Sequence, residues 1–415
     1  MKKTTKIAVI GAGRIGQWHI DHLSSRVALA EVVAVVDVRE LAAKEAAKKY
    51  DIPHALTSIQ EAIDKTHPDA FIVASSTDTH EEAIRMASNH GIHVFCEKPL
   101  SNTIESVKRI RDMVRRSGIK LQVGFNRRFD KSFARVENSI KEHEIGDFHS
   151  LRIISRDPSP PPIEYVKRSG GIFMDMMIHD FDMVRFLVKK EPVEIYAMGS
   201  CLIDPCIEEA GDIDTALVTS KFYNSLLHSK FRLYRHYFCA ITVKFKDGSF
   251  ATIENSRKAA YGYDQRAEAF GSEGSISTDN MFPNTATVAT SKGISKDLPL
   301  HFFKDRYEEA CISELVSFLD KIQKGAKPVV DEVDGSEAVF LAFAAQRSIE
   351  KQTPINLEDL RRELHFPQET EENMDHTEAL RSIEQTDPKN TEELRSEQDV
   401  PQANEENVQV LTVTQ

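Results

Sequence analysis

The chain has 415 residues, enough for two or three domains and a large apolar core. Its formal net charge is −12, but residues 366–415 carry 13 acidic and 3 basic side chains, so residues 1–365 are nearly neutral, which argues against nucleic acid or an anionic membrane as a partner. Five scattered cysteines without metal-ligand spacing, and no apolar run of about 18 residues, predict a cytoplasmic protein with free thiols and neither a metal centre nor a membrane span.

The first 125 residues alternate between short apolar strands and helices. Strands are predicted at Lys6–Ile10, Glu31–Val36, Ala70–Ala74, His93–Cys96 and Lys120–Gly124, with helices at Gln17–Ser25, Leu41–Tyr50, Glu81–Asn89 and Glu105–Arg116. This alternation predicts an α/β fold with a parallel, doubly wound sheet over residues 1–125.

The pattern changes after residue 125. A helix at Lys131–Lys141, strands at Ser150–Ser155, Thr215–Thr219, Ile241–Phe245 and Ser249–Asn255, and late helices at Tyr307–Gln323 and Gly335–Glu350 follow one another. They predict an α+β domain over residues 126–365 with a mostly antiparallel sheet, whose late helices (307–350) pack back on the first domain.

Residues 366–415 form an acidic tail without an aromatic residue after Phe366. The segments 377–390 and 391–404 resemble each other and indicate a diverged tandem duplication. Because so few apolar side chains cannot offset the entropy of ordering, we expect this tail to be disordered.

A glycine-rich turn separates the first strand from the first helix. Gly11, Gly13 and Gly16 follow the G-x-G-x-x-G pattern, with Arg14 and Ile15 inside it. In this pattern the glycines make the turn, admit a pyrophosphate to the backbone and let strand and helix pack closely. The helix that begins here offers N–H donors to phosphates, so the segment predicts dinucleotide binding.

Asp37 ends the second strand, 21 positions after Gly16. Its carboxylate can accept hydrogen bonds from the adenosine ribose and repel a 2′-phosphate, which favours NAD over NADP. Arg39 lies close by in sequence and could weaken that preference.

Polar residues follow the third and fourth strands, where the ligands of doubly wound sheets bind. Ser75, Thr77 and His80 come after the third strand and are candidate cofactor contacts, although this segment could equally cap the next helix. Glu97 and Lys98 come after the fourth strand and precede a proline, so the Lys–Pro peptide bond can be cis. An ordinary surface lysine is the alternative interpretation of Lys98.

Asp175 and His179 lie four residues apart in an apolar segment. If the segment is helical, the two side chains share one face, and a carboxylate beside an imidazole suits proton transfer near neutral pH. An ion pair that closes one helical turn is the simpler alternative.

The order of these motifs closely resembles the Gfo/Idh/MocA oxidoreductases over about residues 5–360, and most closely the inositol 2-dehydrogenases among them. The glycine turn comes first, then Glu-Lys-Pro at 97–99, then Gly-Gly followed by Asp175-x-x-x-His179. The resemblance implies a Rossmann domain that binds NAD, a homo-oligomer (a dimer or tetramer), and a catalytic group made of Lys98, Asp175 and His179.

Three further segments resemble the inositol dehydrogenase pattern and imply a polyol pocket. They contain Arg127, Arg156, Asp157, Tyr261 and Tyr263. The alternatives for these segments are an interdomain linker, a loop and an aromatic pair at a sheet edge.

The implied reaction moves a hydride from carbon to the nicotinamide and a proton from the hydroxyl oxygen. His179 would act as general base with Asp175 orienting it, and Lys98 would stabilise the oxygen as it becomes anionic. myo-Inositol is the leading substrate. The rival hypotheses are another sugar or diol as substrate, and a non-catalytic NAD-binding sensor.

Residues 220–242 interrupt what should be one strand and its continuation. This segment contains four basic residues, six aromatic ones and no acid. Three interpretations remain open: a translated intron or gene-model error, a tolerated surface loop, and a basic-aromatic patch for a partner. A genuine insertion would disturb the sheet at which we expect subunits to meet.

Overall fold

A computed structural model describes residues 4–216 and 241–367. Its first sheet has six parallel strands in the order β3-β2-β1-β4-β5-β6. The strands are β1 (Thr5–Ile10), β2 (Ala30–Val36), β3 (His54–Leu56), β4 (Ala70–Val73), β5 (His93–Cys96) and β6 (Leu121–Val123). The short strand β3 was not predicted from the sequence, because three residues give no detectable alternation.

Five helices accompany this sheet: α1 (Arg14–Ser25), α2 (Glu40–Lys49), α3 (Ile59–Thr66), α4 (His80–Asn89) and α5 (Ile104–Ser117). Apolar residues cover both faces of the sheet, so β4 is fully buried along its length. Burial on both sides is typical of parallel sheets wound with helices, and it confirms the predicted fold class.

The second sheet follows in the chain and is mostly antiparallel, as predicted. Its strands are β7 (Phe148–Arg156), β8 (Pro192–Ala197), β9 (Gly199–Ser200), β10 (Thr215–Ala216), β11 (Ile241–Phe245), β12 (Phe250–Ser256), β13 (Asp264–Gly271), β14 (Ser275–Ser277) and, after a separate hairpin of β15 (Thr287–Thr290) and β16 (Gly293–Lys296), β17 (Ile355–Asn356). One central pair, β7 with β12, runs parallel.

The remaining helices are α6 (Lys131–Lys141), α7 (Ile163–Val166), α8 (Gly171–Asp175), α9 (Ile178–Val188), α10 (Pro205–Glu209), α11 (Phe303–Gln323), α12 (Glu332–Lys351) and α13 (Leu357–Leu364). Of these, α11 contributes Leu315 and Phe318 to the core on one face of the first sheet. α12 crosses the end of β6 so closely that a Cβ on Gly335 would lie 2.7 Å from Val123 Cγ2. Late segments of the chain thus complete the first half of the molecule.

Strands β10 and β11 lie end to end along β12. Ala216 pairs with Asn255 and Ile241 pairs with Ile253, so only one position of β12 separates the two registers. This agrees with the expectation of one strand interrupted by an inserted segment. Residues 217–240, which contain most of that segment, and the tail from residue 368 lie outside the described residues. Within the described ranges, no helix is long and apolar enough to cross a bilayer.

Candidate active site

The turn between β1 and α1 brings two backbone segments into close contact and leaves space beside them. Gly11 has a φ of +102°, and a Cβ there would lie 2.6 Å from the Ser75 nitrogen. A Cβ on Gly16 would lie 1.9 Å from the Gly11 carbonyl oxygen, whereas one on Gly13 would meet nothing within 4 Å. Because α1 begins without a side-chain cap, its first N–H groups and the space at Gly13 fit a pyrophosphate.

Arg14 and Ile15 occupy the first two positions of α1. Arg14 is exposed, and its guanidinium carbon lies 6.0 and 5.7 Å from the ring centroids of Phe302 and Phe303. Ile15 is half-buried. The segment that leads into α11 therefore lies against the start of the glycine turn.

Asp37 comes directly after β2, with its carboxylate turned towards the glycine turn. It accepts a hydrogen bond from the Ala12 N–H (2.8 Å) and another from the Arg39 N–H (2.9 Å). Burial by itself raises the pKa of this carboxyl, but the hydrogen bonds from Arg39 and Ala12 outweigh it and lower the pKa below its ordinary value. An ionised carboxylate beside the turn fits the ribose of a dinucleotide.

Of the predicted residues after β4, two lie near the surface and one is buried. The Ser75 and Thr79 hydroxyls are 2.7 Å apart, and Thr77 is half-buried. His80 is 1 % exposed, and its ring nitrogens lie 3.0 Å from the Pro99 carbonyl oxygen and 3.3 Å from that of Ser75. His80 thus holds two loops together and offers no free nitrogen to a ligand.

Glu97 and Lys98 follow β5, and the Lys98–Pro99 peptide bond is cis. The Glu97 carboxylate lies 2.6 Å from Nε2 of the buried His19. Burial by itself raises the pKa of Glu97, but the hydrogen bond and charge of His19, together with Lys98, lower it. Glu97 is therefore an anion held behind the loop that carries Lys98.

Lys98 and Asp175 meet at the centre of the site. The Lys98 ammonium donates to the Asp175 carbonyl oxygen (2.7 Å) and lies 3.4 Å from its carboxylate. The Tyr165 hydroxyl donates to that carboxylate at 2.7 Å, and Arg257 donates to its other oxygen at 3.2 Å. Burial opposes ionisation of Asp175, but Lys98 and Arg257 keep its pKa below the ordinary value.

The predicted pairing of Asp175 with His179 on one helix is wrong. Asp175 ends α8 and His179 lies in α9, and none of the described hydrogen bonds joins the two side chains. The N–H groups of Met176 and Met177 both bond to the Ile172 carbonyl oxygen (3.0 and 2.9 Å), so the regular hydrogen-bond ladder of α8 ends there. Asp175 and His179 therefore belong to two separate helices.

His179 is instead surrounded by apolar and cationic groups. Its ring packs edge-on against Phe125 at 5.8 Å, and its Nδ1 is buried without a hydrogen-bond partner among the described residues. Burial, and then the positive charges of Lys98 and Arg127, hold the pKa of His179 well below its ordinary value. The imidazole is neutral at pH 7 and able to accept a proton.

Arg127 lies in a buried polar network behind His179. Its guanidinium donates to Asp180 at 2.5 Å and to the Ser155 hydroxyl at 3.0 Å, and Asn255 donates to the other Asp180 oxygen at 2.8 Å. These contacts fix Arg127 through one of its nitrogens, and its charge helps to lower the pKa of His179.

Asp157 is the half-buried carboxylate of the site, and no hydrogen bond to its side-chain oxygens occurs among the described residues. Burial and the charge of Asp175 raise its pKa to about 6, against the opposing effect of Arg257 and other cations. Tyr263 is buried nearby, packed edge-on against Tyr307, and burial raises the pKa of its hydroxyl. Asp157 therefore lies close enough to Lys98 to feel its charge, and Tyr263 lies near Asp157.

Arg156 and Tyr261 do not join this group, contrary to the prediction. Arg156 bonds to Glu254, to the Tyr261 hydroxyl (2.6 Å) and to Asp264 (3.3 Å). Successive side chains of a strand point to opposite faces, so Arg156 faces away from Ser155 and its buried network. Their ion-pair cluster belongs to the outer face of the second sheet.

Sequence reasoning missed Tyr165 and Arg257, which both bond to Asp175. It also missed Asp212, which accepts a hydrogen bond from Arg257 at 3.3 Å. Tyr165 follows a proline-rich loop by three residues, and that position was a usable signal for a residue at the rim of a site. Arg257 carries no comparable local signal.

The chain matches two models of one protein family. Residues 5–125 match the model described as "Oxidoreductase family, NAD-binding Rossmann fold", and residues 133–230 match the "GFO/IDH/MocA C-terminal domain". Together with the glycine turn and Asp37, this makes the chain an NAD-dependent oxidoreductase.

Known proteins similar to the chain cover nearly its whole described length. It is 39 % identical to the myo-inositol 2-dehydrogenase of Thermotoga maritima, over 86 % of this chain and 99 % of that protein. It is also 39 % identical to the inositol 2-dehydrogenase of Rhizobium meliloti, over 85 % and 99 % of the two chains. The structure of scyllo-inositol dehydrogenase from Lactobacillus casei with bound NAD(H) and scyllo-inositol superposes with a TM-score of 0.76 at 27 % identity, covering 86 % and 100 %. The chain belongs to the Gfo/Idh/MocA oxidoreductase family.

Proposed function

We propose that this protein catalyses the NAD-dependent oxidation of a secondary alcohol of a cyclic polyol to a ketone, with myo-inositol to 2-keto-myo-inositol as the leading reaction. The observation that carries the proposal is the meeting of Lys98, Asp175 and Asp157 beside His179, at the carboxyl end of β5. The activities of the two similar inositol 2-dehydrogenases support the same substrate class.

The glycine turn with Asp37 would hold the dinucleotide, whose nicotinamide accepts a hydride when bound. His179 would take the hydroxyl proton, since burial and two nearby cations keep its imidazole neutral. Lys98 would donate a hydrogen bond to the oxygen as negative charge develops. Asp175 holds the Lys98 ammonium in position and does not orient His179.

The polyol needs groups that accept hydrogen bonds from its other hydroxyls. Asp157 suits this role, since its carboxylate lies among the cations of the site without a described hydrogen bond of its own. Tyr263 and Arg127 lie on the same side and would line the pocket, whereas Arg156 and Tyr261 would affect it only from the opposite face of the sheet.

The proposal is tested by the appearance of NADH with a panel of inositol isomers, sugars and acyclic diols. We expect turnover with myo-inositol to exceed turnover with the other compounds. Faster turnover of another sugar would replace the substrate and keep the reaction. NAD binding without turnover of any polyol would favour the sensor hypothesis.

We propose in addition that the protein forms a homo-oligomer through the outer face of the second sheet. That face exposes Phe250 and Phe270 (45 % and 51 % exposed), and it carries both Arg152 and Glu254. Because both signs of charge alternate with exposed aromatic rings, the face is complementary to a second copy of itself. Light scattering on the full chain tests this, and a monomer at micromolar concentration would contradict it.

A further inference from the structure

His179 has one ring nitrogen that the protein encloses. This nitrogen, Nδ1, is buried without a hydrogen-bond partner among the described residues, whereas the residue as a whole is half-buried, so Nε2 is the nitrogen that a substrate can reach. If Nε2 accepts the hydroxyl proton, Nδ1 must carry the proton of the neutral imidazole. The Nδ1–H group is then a buried donor, and it needs an acceptor that fixes the tautomer and stabilises the imidazolium formed in the reaction.

The charged groups around His179 do not supply this acceptor. Lys98 and Arg127, whose charges act on the imidazole, can only donate hydrogen bonds. The carboxylate of Asp180, the next residue in the chain, already accepts from three donors of the protein at 2.5–2.8 Å. Asp175 is held by other donors, and none of the described hydrogen bonds joins it to His179. The acceptor must therefore be an uncharged group.

Asn255 has an unused acceptor in the same buried network. Its Nδ2 donates to Asp180 at 2.8 Å, whereas its Oδ1 is buried and has no partner among the described residues. Asn255 is 0 % exposed and lies on β12 two positions before Arg257, so both side chains leave the chain on the same side, and Arg257 reaches the site. The amide of Asn255 therefore lies between the site and the residue that follows His179.

We propose that Asn255 orients His179: its Oδ1 accepts, across one bound water molecule, the hydrogen bond that the Nδ1–H group of His179 donates. The inference rests on the proposed role of His179 as general base. The two atoms are complementary, and buried water molecules bridge polar groups of this kind. Because an amide carries no charge, it fixes the tautomer without the large rise in the pKa of the imidazole that a carboxylate would cause. Asn255 is thus a positioning residue and does not touch the substrate.

The first test compares the turnover of Asn255→Leu and Ser155→Ala in the full-length protein. Each variant loses one hydrogen bond to Asp180, but only Asn255→Leu also loses the acceptor for His179. We expect kcat of Asn255→Leu to fall roughly a hundredfold or more, because the tautomer is no longer fixed. The kcat of Ser155→Ala should fall less than about tenfold. Equal losses in the two variants would overturn the role of Asn255.

The second test reads the tautomer directly and needs no polyol. Nitrogen NMR spectra of the protein with isotope-labelled histidines, assigned with His179→Ala, show which ring nitrogen carries the proton. We expect Nδ1–H in the wild type and in Ser155→Ala, and a shift towards Nε2–H in Asn255→Leu. Nε2–H in the wild type would overturn the inference even if Asn255→Leu did not fold, and so would an unchanged tautomer in a folded Asn255→Leu. Nδ1–H in a wild type that oxidises no polyol would overturn the proposed function and leave the role of Asn255 in place.

Discussion

Lys98 and His179 differ in what they do for the proposed reaction. Substitution of either by Ala removes a group expected to touch the reacting hydroxyl, so we predict that turnover falls roughly a hundredfold or more. The affinity for NAD should stay nearly intact, since neither residue belongs to the glycine turn. Steady-state kinetics and calorimetry on the same preparations check both statements, and near-normal turnover in both variants would contradict the assignment.

Tyr165 is partly exposed, yet its hydroxyl donates to the carboxylate that holds Lys98. Tyr165→Phe removes this hydrogen bond and keeps the ring. We predict that kcat falls about three- to tenfold, because one hydrogen bond to a charged group is lost at a partly solvent-exposed position. NAD affinity and the melting temperature should not change. An unaltered kcat would show that Tyr165 serves only to shape the rim.

Asp157 links the stability of the protein to pH. Its pKa is raised from an ordinary value near 3.8 to about 6, so its buried charge destabilises the fold increasingly as the pH rises between those values. Asp157→Asn should therefore raise the melting temperature at pH 8, with roughly half that gain in free energy at pH 5. The same variant should raise the KM for the polyol. An equal gain in stability at both pH values would contradict the raised pKa.

One buried arginine connects the end of α8 to the end of β12. Arg257 is 1 % exposed and bridges Asp175 to Asp212, which also accepts from the Ile172 N–H at the start of α8. Arg257→Met would leave the Asp212 carboxylate without a cationic partner among the described residues, and Asp175 with Lys98 as its remaining cation, at a cost of about 3–5 kcal/mol. We predict a melting temperature lower by roughly 5 °C or more.

A matched control for that variant is Arg85→Met on α4. Arg85 also pairs with a carboxylate, that of Glu82, but both side chains are about half exposed. Exposed ion pairs contribute less than about 1 kcal/mol to the free energy of unfolding. This variant should therefore have the same melting temperature as the wild type. Equal melting temperatures for the two variants would show that Arg257 is not a structural bridge.

The elements that carry the nucleotide turn were predictable because each depends on neighbours in the sequence. Gly11, Asp37 and Lys98 each follow a recognisable apolar strand, and the alternation of strands and helices then places them at one edge of the sheet. The break between α8 and α9 was not predictable from spacing alone, since the backbone hydrogen bonds that end α8 at Asp175 leave no mark in the spacing of Asp175 and His179.

Contacts between residues that lie far apart in the chain were also not predictable from the sequence. Arg257 reaches Asp175 across 82 positions, and nothing near either residue indicates the other. Arg156 was assigned to the pocket by resemblance, but the register of β7 turns it to the opposite face. A shift of one residue in strand register moves a side chain to the opposite face of the sheet. A sequence motif does not specify that register.

At the scale of the whole molecule, the outer face of the second sheet is the expected contact between copies. Phe270→Glu places a charge among the exposed aromatic residues of that face, so we predict a smaller assembly by light scattering. Val316→Glu alters another exposed apolar residue, on α11, and should leave the assembly unchanged. Dissociation by both variants, or by neither, would place the interface elsewhere.

The packing of α11 on the first sheet has a consequence for biosynthesis. The face of that sheet that includes Ile7 and Val9 is completed by Leu315 and Phe318 of α11. The ribosome makes this helix roughly 200 residues after β6, which takes about 10–40 s at ordinary elongation rates. During that interval the nascent nucleotide-binding half exposes an apolar surface, so we expect chaperones to bind it. A ribosome-stalled chain ending before residue 303 should bind them more strongly than one released complete.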